Sequence, residues 1–253
     1  MEDMVLSEEI EERIRKKLYG ETFYKKESLL YHYTSLENLP KIISNGEITF
    51  RATNVRYLND PNELLLSYKW RNTSVKKHFD KEWKKTFVIS FSNEIAKIPI
   101  WSMYADNGRG VALGFNPNLL PNTIPSPFSF SKSFYFDDEE GAYLGAYIEK
   151  NWKSLKKDTN TILQCVSSIK SNAYEYEKES RLIFQSLPTN IKYAYKSNFI
   201  FSYIDVKIPT NSLSKIVVGA NNDCELVENS IREYLYENGL KVNVGHSNIK
   251  TRW

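Results

Sequence analysis

Histidine and cysteine are scarce in this chain of 253 residues: three of the first (His32, His78, His246) and two of the second (Cys165, Cys224). Two cysteines make neither a disulfide framework nor a metal-ligand spacing, and three scattered histidines leave little for a zinc site. No metal is expected. A run of about 18 apolar residues, the minimum for a membrane span, is missing, as is a secretory leader. These absences point to a cytoplasmic protein with no membrane partner. Excess charge is missing too: 34 basic and 31 acidic residues leave a net charge of +3, too little for a surface built to coat nucleic acid. Neither an internal repeat nor a second-domain linker interrupts the chain.

What is present is apolar and aromatic material, 41% and 14% of the residues, ample for the core of one large domain. Residues 1–28 read as a helical extension and 29–253 as a single domain. In the extension, Ile10, Ile14 and Leu18 recur every four residues, an amphipathic helix over 1–20 that pads a sheet or docks a partner.

The domain opens on its most informative stretch. Leu29–Tyr33 is short, apolar and aromatic, as a buried strand should be. Thr34 and Glu37 have capping-box spacing. A short helix follows, with Leu36, Leu39, Ile42 and Ile43 inward, closed by Asn45-Gly46 in left-handed geometry before a second strand, Ile48–Ala52. This places the His32 imidazole at a strand-helix corner with free backbone N–H groups, where polar ligands are commonly bound. Next, Asp60, Pro61 and Glu63 have the pattern of an N-cap, first helical residue and capping box for a helix to about Trp70. Asn59 and Arg51 are left without a structural reason.

Phe87–Ser92 alternates, with Val88, Ser90 and Ser92 on one face, a pattern that suits a cavity wall or a near-surface face. Ile100–Tyr104 is a helical turn whose Trp101 and Tyr104, three apart, pack in the core or stack on a flat ring. Residues 107–110 turn the chain into the strand Val111–Phe115, and 116–131 read as a long loop, a candidate lid. Then come a strand at Phe134–Phe136, helices over about Asp137–Trp152 and Thr159–Ala173, and a strand at Leu182–Leu187. If that last strand reaches back, Glu177, Glu179 and Arg181 share one face: either a surface ladder of charge or carboxylates crowded at a site, one with a raised pKa. Strand material at Tyr195–Ile208, a buried strand at Lys215–Gly219, a helix from Asn222 to Tyr236 and a strand at Val242–His246 complete the reading. His78 and His246 read as exposed polar residues.

Taken together, Tyr31-His32-Tyr33-Thr34, Asn59-Asp60-Pro61 with Glu63, Phe91-Ser92, Trp101 with Tyr104, Gly110 to Phe115, and Glu177 with Glu179 and Arg181 resemble a bacterial family catalogued as domain of unknown function 2971. That family in turn resembles the ADP-ribosyltransferase superfamily, through the His-x-Thr strand-helix-Gly-strand opening and a late Glu entering a strand. The resemblance implies an α+β fold: two packed, mostly antiparallel sheets forming a cleft, helices outside. It implies an NAD-consuming ADP-ribosyltransferase or NAD glycohydrolase, a toxin or anti-phage defence effector with NAD as substrate. The alternatives are a nucleic-acid-modifying enzyme on the same scaffold and a catalytically silent interaction domain.

The implied roles follow the chemistry. Cleaving the nicotinamide–ribose bond develops an oxocarbenium-like cation. Glu179, with Glu177 in reserve, would stabilise it, Arg181 holding Glu179 ionised and aimed. His32, with Tyr33, Thr34, Asn59, Ser90 and Ser92, would hold the substrate, and Arg51 would meet a phosphate. Superfamily members with a His-Tyr-Glu triad place a stacking Tyr on or near the second strand; here Phe50 and Arg51 stand there, leaving Tyr57, Trp101 or Tyr104 for nicotinamide. A protein or nucleic-acid acceptor and a regulatory or antitoxin protein are the partners so implied.

Overall fold

The computed structural model describes residues 9–10, 12–13, 28–58, 71–120, 128–185, 188–196, 198–220 and 223–249. The expected site residue Asn59 and the helix expected from Asp60 to Trp70 lie outside the described residues, as do Ile14 and Leu18 of the extension. Ile10, which is described, is buried among the helices, and Arg13 pairs with Glu139 at 3.3 Å.

The first strand, β1 (Leu30–Thr34), leads into a 3-10 turn (Leu36–Asn38), a single helical turn α1 (Leu39–Ile42) and the hairpin β2 (Ile43–Ser44) and β3 (Glu47–Asn54). The expected capping box does not form. Pro40 has no N–H to give the Leu36 carbonyl, so no regular helix runs through from residue 35; Thr34 Oγ1 instead accepts from Asn38 Nδ2 at 3.2 Å. Asn45 and Gly46 are left-handed (φ 52° and 74°) as expected, but they turn the β2–β3 hairpin rather than cap a helix, in the type I′ geometry that two positive φ angles favour.

The helices that follow are α2 (Thr73–Trp83), α3 (Ile98–Tyr104), α4 (Asp138–Leu155), α5 (Thr159–Ser167) and α6 (Cys224–Glu237). The remaining strands are β4 (Thr86–Ser92), β5 (Val111–Phe115), β6 (Phe128–Lys132), β7 (Phe134–Phe136), β8 (Ile169–Ser171) and β9 (Glu179–Gln185). After them come β10 (Lys192–Lys196), β11 (Phe199–Ile208), β12 (Leu213–Val218) and β13 (Asn243–His246). Asp137 and Glu140 form a reciprocal capping box at the start of α4. The expected helix to Ala173 stops at Ser167, because the Ser168 hydroxyl turns back to the Gln164 carbonyl and the chain enters β8. The expected loop over 116–131 gives way to strand β6 from Phe128.

The fold is α+β, but the two-sheet expectation is corrected. Eleven of the described strands form one sheet, ordered β10-β11-β3-β4-β1-β5-β12-β13, with β2 on β3, β9 on β4 and β6 on β9; β7 and β8 pair separately. All pairings are antiparallel except β12–β13 and β7–β8. Strand β4 is the reason for the single sheet. One edge pairs with β9 along all seven residues, from Thr86↔Gln185 to Ser92↔Glu179. The other meets β3 at Phe87 and Val88 and β1 at Ser92. Between those points β3 and β1 part, so the sheet forks, and the fork does the work expected of a cleft between two sheets.

Helices lie on both faces. Leu39 and Ile42 of α1 and Ile231 and Leu235 of α6 pack with Phe50, Ile89, Phe91 and Leu182. On the other face Val75 and Phe79 of α2, Ile148 and Trp152 of α4 and Val166 of α5 cover Val88 and Ile183. Each such buried side chain contributes about 1.5–3 kcal/mol. Among the described residues no helix is long and apolar enough to cross a membrane.

Candidate active site

His32 sits where the sheet forks. Its Nδ1 lies 3.0 Å from the Ser90 carbonyl, the backbone group exposed where β3 and β1 separate along β4. A carbonyl only accepts, so Nδ1 carries the proton and Nε2 is left as an acceptor in the neutral ring. Phe50 meets the imidazole edge-on at 4.6 Å and Phe91 at 6.1 Å. Burial among these rings lowers the His32 pKa from its ordinary value, against the opposing pull of the Ser90 carbonyl. This is a neutral histidine.

The acidic segment reaches the same fork from the other edge of β4. Register places Ser92 opposite Glu179 and Ser90 opposite Arg181, so Glu179 and Arg181 share the face of the two serines. The expected strand alternation does not deliver Glu177: it ends a 3-10 helix (Asn172–Glu177), and left-handed Lys178 (φ 43°) turns it inward before β9 begins. The group is no surface ladder, since Glu177, Glu179 and Arg181 are 4%, 5% and 1% exposed.

Arg181 grips Glu179 with two parallel bonds, Nε to Oε1 at 3.0 Å and Nη2 to Oε2 at 2.9 Å, while its Nη1 donates to the Ser167 carbonyl at 2.7 Å. Lys170, from β8, donates to Glu179 Oε2 at 2.9 Å and also to Glu177 Oε2. Tyr104 Oη donates to Glu177 Oε1 at 2.9 Å. Two cations thus balance two carboxylates, as burial demands. Burial pushes the Glu179 carboxyl up, but Arg181, Lys170 and their hydrogen bonds hold it down at about 2. For Glu177 burial prevails over Lys170, and its pKa is raised. Burial works against the charged form of Lys170 too, but Glu179 and Glu177 raise its pKa above the ordinary value.

A cavity of about 250 Å³ joins the two corners, lined by both His32 and the pair Glu177 and Glu179. Of the residues expected at a site, Tyr33, Arg51, Tyr57, Ser90, Ser92 and Tyr104 also line it. Three described ones do not. Thr34 is buried beside Asn38. Trp101 is in the core, its Nε1 donating to the Ile95 carbonyl at 2.8 Å and its ring edge-on to Tyr33. Arg181 lies behind Glu179. Tyr33 contributes its ring, while its hydroxyl donates to the Glu94 carbonyl. The sequence reading missed Lys170 and the aromatic wall of Tyr31, Phe199 and Phe201. Lys170 was hidden inside a segment read as helix. The aromatic wall had a signal, the run Phe199-Ile200-Phe201-Ser202-Tyr203, which places three rings on one face of a strand. Of the residues read as bystanders, His78 packs on Trp152 at 5.0 Å and His246 meets Glu228 Oε1 at 2.7 Å. Among the described residues no group of three or more His, Cys, Asp or Glu is placed to hold a metal.

A family model described as a protein of unknown function (DUF2971) matches residues 100–182, the third of the chain that carries Tyr104, Lys170, Glu177, Glu179 and Arg181. No curated protein and no solved structure matches.

Proposed function

We propose that the protein consumes NAD, cleaving the nicotinamide–ribose bond and passing ADP-ribose to an acceptor or to water, on an ADP-ribosyltransferase-like scaffold and as a toxin or defence effector. One observation supports this most: a neutral histidine from the first strand and a buried carboxylate pair from a late strand line one aromatic cavity. At about 250 Å³ the cavity is slightly below the usual 300–1,000 Å³ of ligand pockets. It would enclose the nicotinamide riboside end and leave the pyrophosphate at the rim, toward Arg51.

The geometry redistributes the carboxylate roles. Glu179 has both oxygens engaged by Arg181 and Lys170, so most of its field is cancelled locally. It is better suited to fix Lys170 and Glu177 than to face a developing cation. Glu177, held by Tyr104 and Lys170, has the higher proton affinity. In this reading the C1′–N bond breaks, its electron pair leaves with nicotinamide, and positive charge spreads over C1′ and the ring oxygen beside Glu177. The acceptor's oxygen or nitrogen then bonds to C1′, and its proton passes to Glu177, whose raised pKa suits a general base. His32 offers Nε2 to a ribose hydroxyl or the carboxamide, and Tyr57 or Tyr104 stacks on the nicotinamide ring.

Incubating purified protein with NAD and following free nicotinamide tests the reading. Release in water, or only once a protein or nucleic-acid acceptor is added, is the expected result. NAD recovered intact with every acceptor, despite measurable NAD binding, would overturn it and leave the cavity as a binding pocket.

A further inference from the structure

The cavity has an aromatic end that the chemistry proposed above leaves largely unused. Strand register sets Tyr203 opposite Thr53 and Asp205 opposite Arg51, and Thr53 in turn opposite Val88. Side chains alternate along a strand, so Phe199, Phe201 and Tyr203 of β11 share one face with Arg51, Thr53, Val88 and Ser90. That is the face on which the cavity opens: Phe199 and Phe201 line it together with Arg51, Thr53 and Tyr57. Strand β11 lies beyond β3, on the side of β4 away from β9. The aromatic end is therefore opposite the carboxylate corner.

Tyr57 ends a 3-10 turn (Val55–Tyr57) fixed by the buried Asn54, whose Nδ2 donates to the Trp83 carbonyl at 2.7 Å and whose Oδ1 accepts from the Arg56 N–H at 3.2 Å. The turn holds Tyr57 nearly parallel to Phe199, with centroids 6.1 Å apart at 20°. Phe199 is still 41% exposed, so ring surface remains for a flat partner at the cavity mouth. Phe201 follows Phe199 at 6.5 Å, Tyr203 follows Phe201 at 6.0 Å, and Arg51 lies over Tyr203 at 4.9 Å. Asp205, opposite Arg51, is held by Lys192 at 2.6 Å, and among the described residues no carboxylate pairs with Arg51. Flat rings beside such a guanidinium suit a ligand that joins a base to a phosphate. We propose that Phe199, Tyr57 and Phe201 form a second base subsite, which takes the adenine ring of the dinucleotide while Arg51 meets the pyrophosphate and the nicotinamide end enters the carboxylate corner. The inference rests on the NAD reading and narrows its substrate class to a dinucleotide, with nicotinamide mononucleotide a poor substitute. It gives Tyr57 to adenine and leaves Tyr104 for nicotinamide.

The test is titration calorimetry with two partial ligands. ADP-ribose carries adenine and pyrophosphate without nicotinamide; nicotinamide mononucleotide carries nicotinamide and one phosphate without a second base. The wild type should bind ADP-ribose more tightly than the mononucleotide. Phe199→Ala should weaken ADP-ribose about tenfold, the scale of one lost base–ring stack, and change the mononucleotide by less than about twofold. Phe199→Trp restores a stacking face and should keep ADP-ribose binding, whereas Arg51→Ala should weaken both ligands, since both carry phosphate. ADP-ribose that fails to bind, or binding that Phe199→Ala leaves unchanged, overturns the proposal. So does an equal loss of both ligands, which would put nicotinamide or a purely structural role at Phe199. Nicotinamide release from NAD without ADP-ribose binding would keep the proposed function and remove this subsite; ADP-ribose binding through Phe199 with NAD never cleaved would do the reverse.

Discussion

His32 and the carboxylate pair reach one cavity by opposite means. His32 is positioned by backbone: a strand, a fork in the ladder and one carbonyl, with aromatic rings around an uncharged imidazole. Glu177 and Glu179 are positioned by charge: Arg181, Lys170 and Tyr104 hold them in a place where unpaired carboxylates would be costly. The first corner depends on topology and tolerates changes in its side chains. The second depends on its side chains and on the ion pairs between them.

The largest effect should come from breaking the charged corner. Glu179→Gln keeps the shape and removes the charge, leaving Arg181 buried without its partner. A loss of about 3–5 kcal/mol of unfolding free energy is expected in denaturant titration. A loss under about 1 kcal/mol would show that the cluster is effectively solvated and the contrast false. Acid should act in the same direction. The folded pKa of about 2 lies below the ordinary 4.5, so the stability from Glu179 is present above about pH 4.5 and is lost as pH falls toward 2.

Lys170→Met should have an intermediate effect and sharpen the comparison. Lys170 lowers the Glu177 pKa against burial, so its removal raises that pKa further. The acidic limb of the pH–rate profile should then move to higher pH. An unmoved limb combined with a lower melting temperature would make Lys170 a purely structural residue.

The backbone-positioned corner should respond least in stability and more in binding. His32→Asn retains a hydrogen-bonding side chain but does not titrate. The folded pKa of His32 is lowered, so below about pH 6.5 the unfolded chain binds more protons than the folded one, and stability is lost as the pH drops. The variant should flatten that slope below about pH 6.5. It should also weaken NAD binding about tenfold, the scale of one lost hydrogen bond with its desolvated partner. A slope identical to the wild type would show that His32 is solvated in the folded protein.

Much of this contrast could be read in the sequence, but unevenly. Strands with an alternating or apolar pattern, Phe87–Ser92 and Val111–Phe115, were legible because period and burial agree there. His32, Ser90 and Ser92 were legible for the same reason. The charged corner was legible in its residue types but not in its geometry. Nothing local signals that Lys178 turns left-handed, or that Ile169-Lys170-Ser171 leaves a helix to become strand β8. Both depend on where the rest of the chain offers a partner strand and a countercharge. Trp101 and Tyr104 show the same limit: helical spacing put them on one side, but only packing decides that Trp101 meets Tyr33 and Tyr104 meets Glu177. Fork and single sheet were not visible either, because the sequence carries no mark of which strands share β4.

The most direct test of the central claim compares nicotinamide release and NAD affinity in Glu177→Gln. That substitution removes one charge from the shared cavity and leaves the Arg181–Glu179 clamp in place. Turnover should fall roughly 10²–10³-fold, the scale of losing one electrostatic stabiliser, while the NAD dissociation constant stays within about twofold. Turnover equal to the wild type would contradict the claim that histidine and carboxylate corners form one catalytic site.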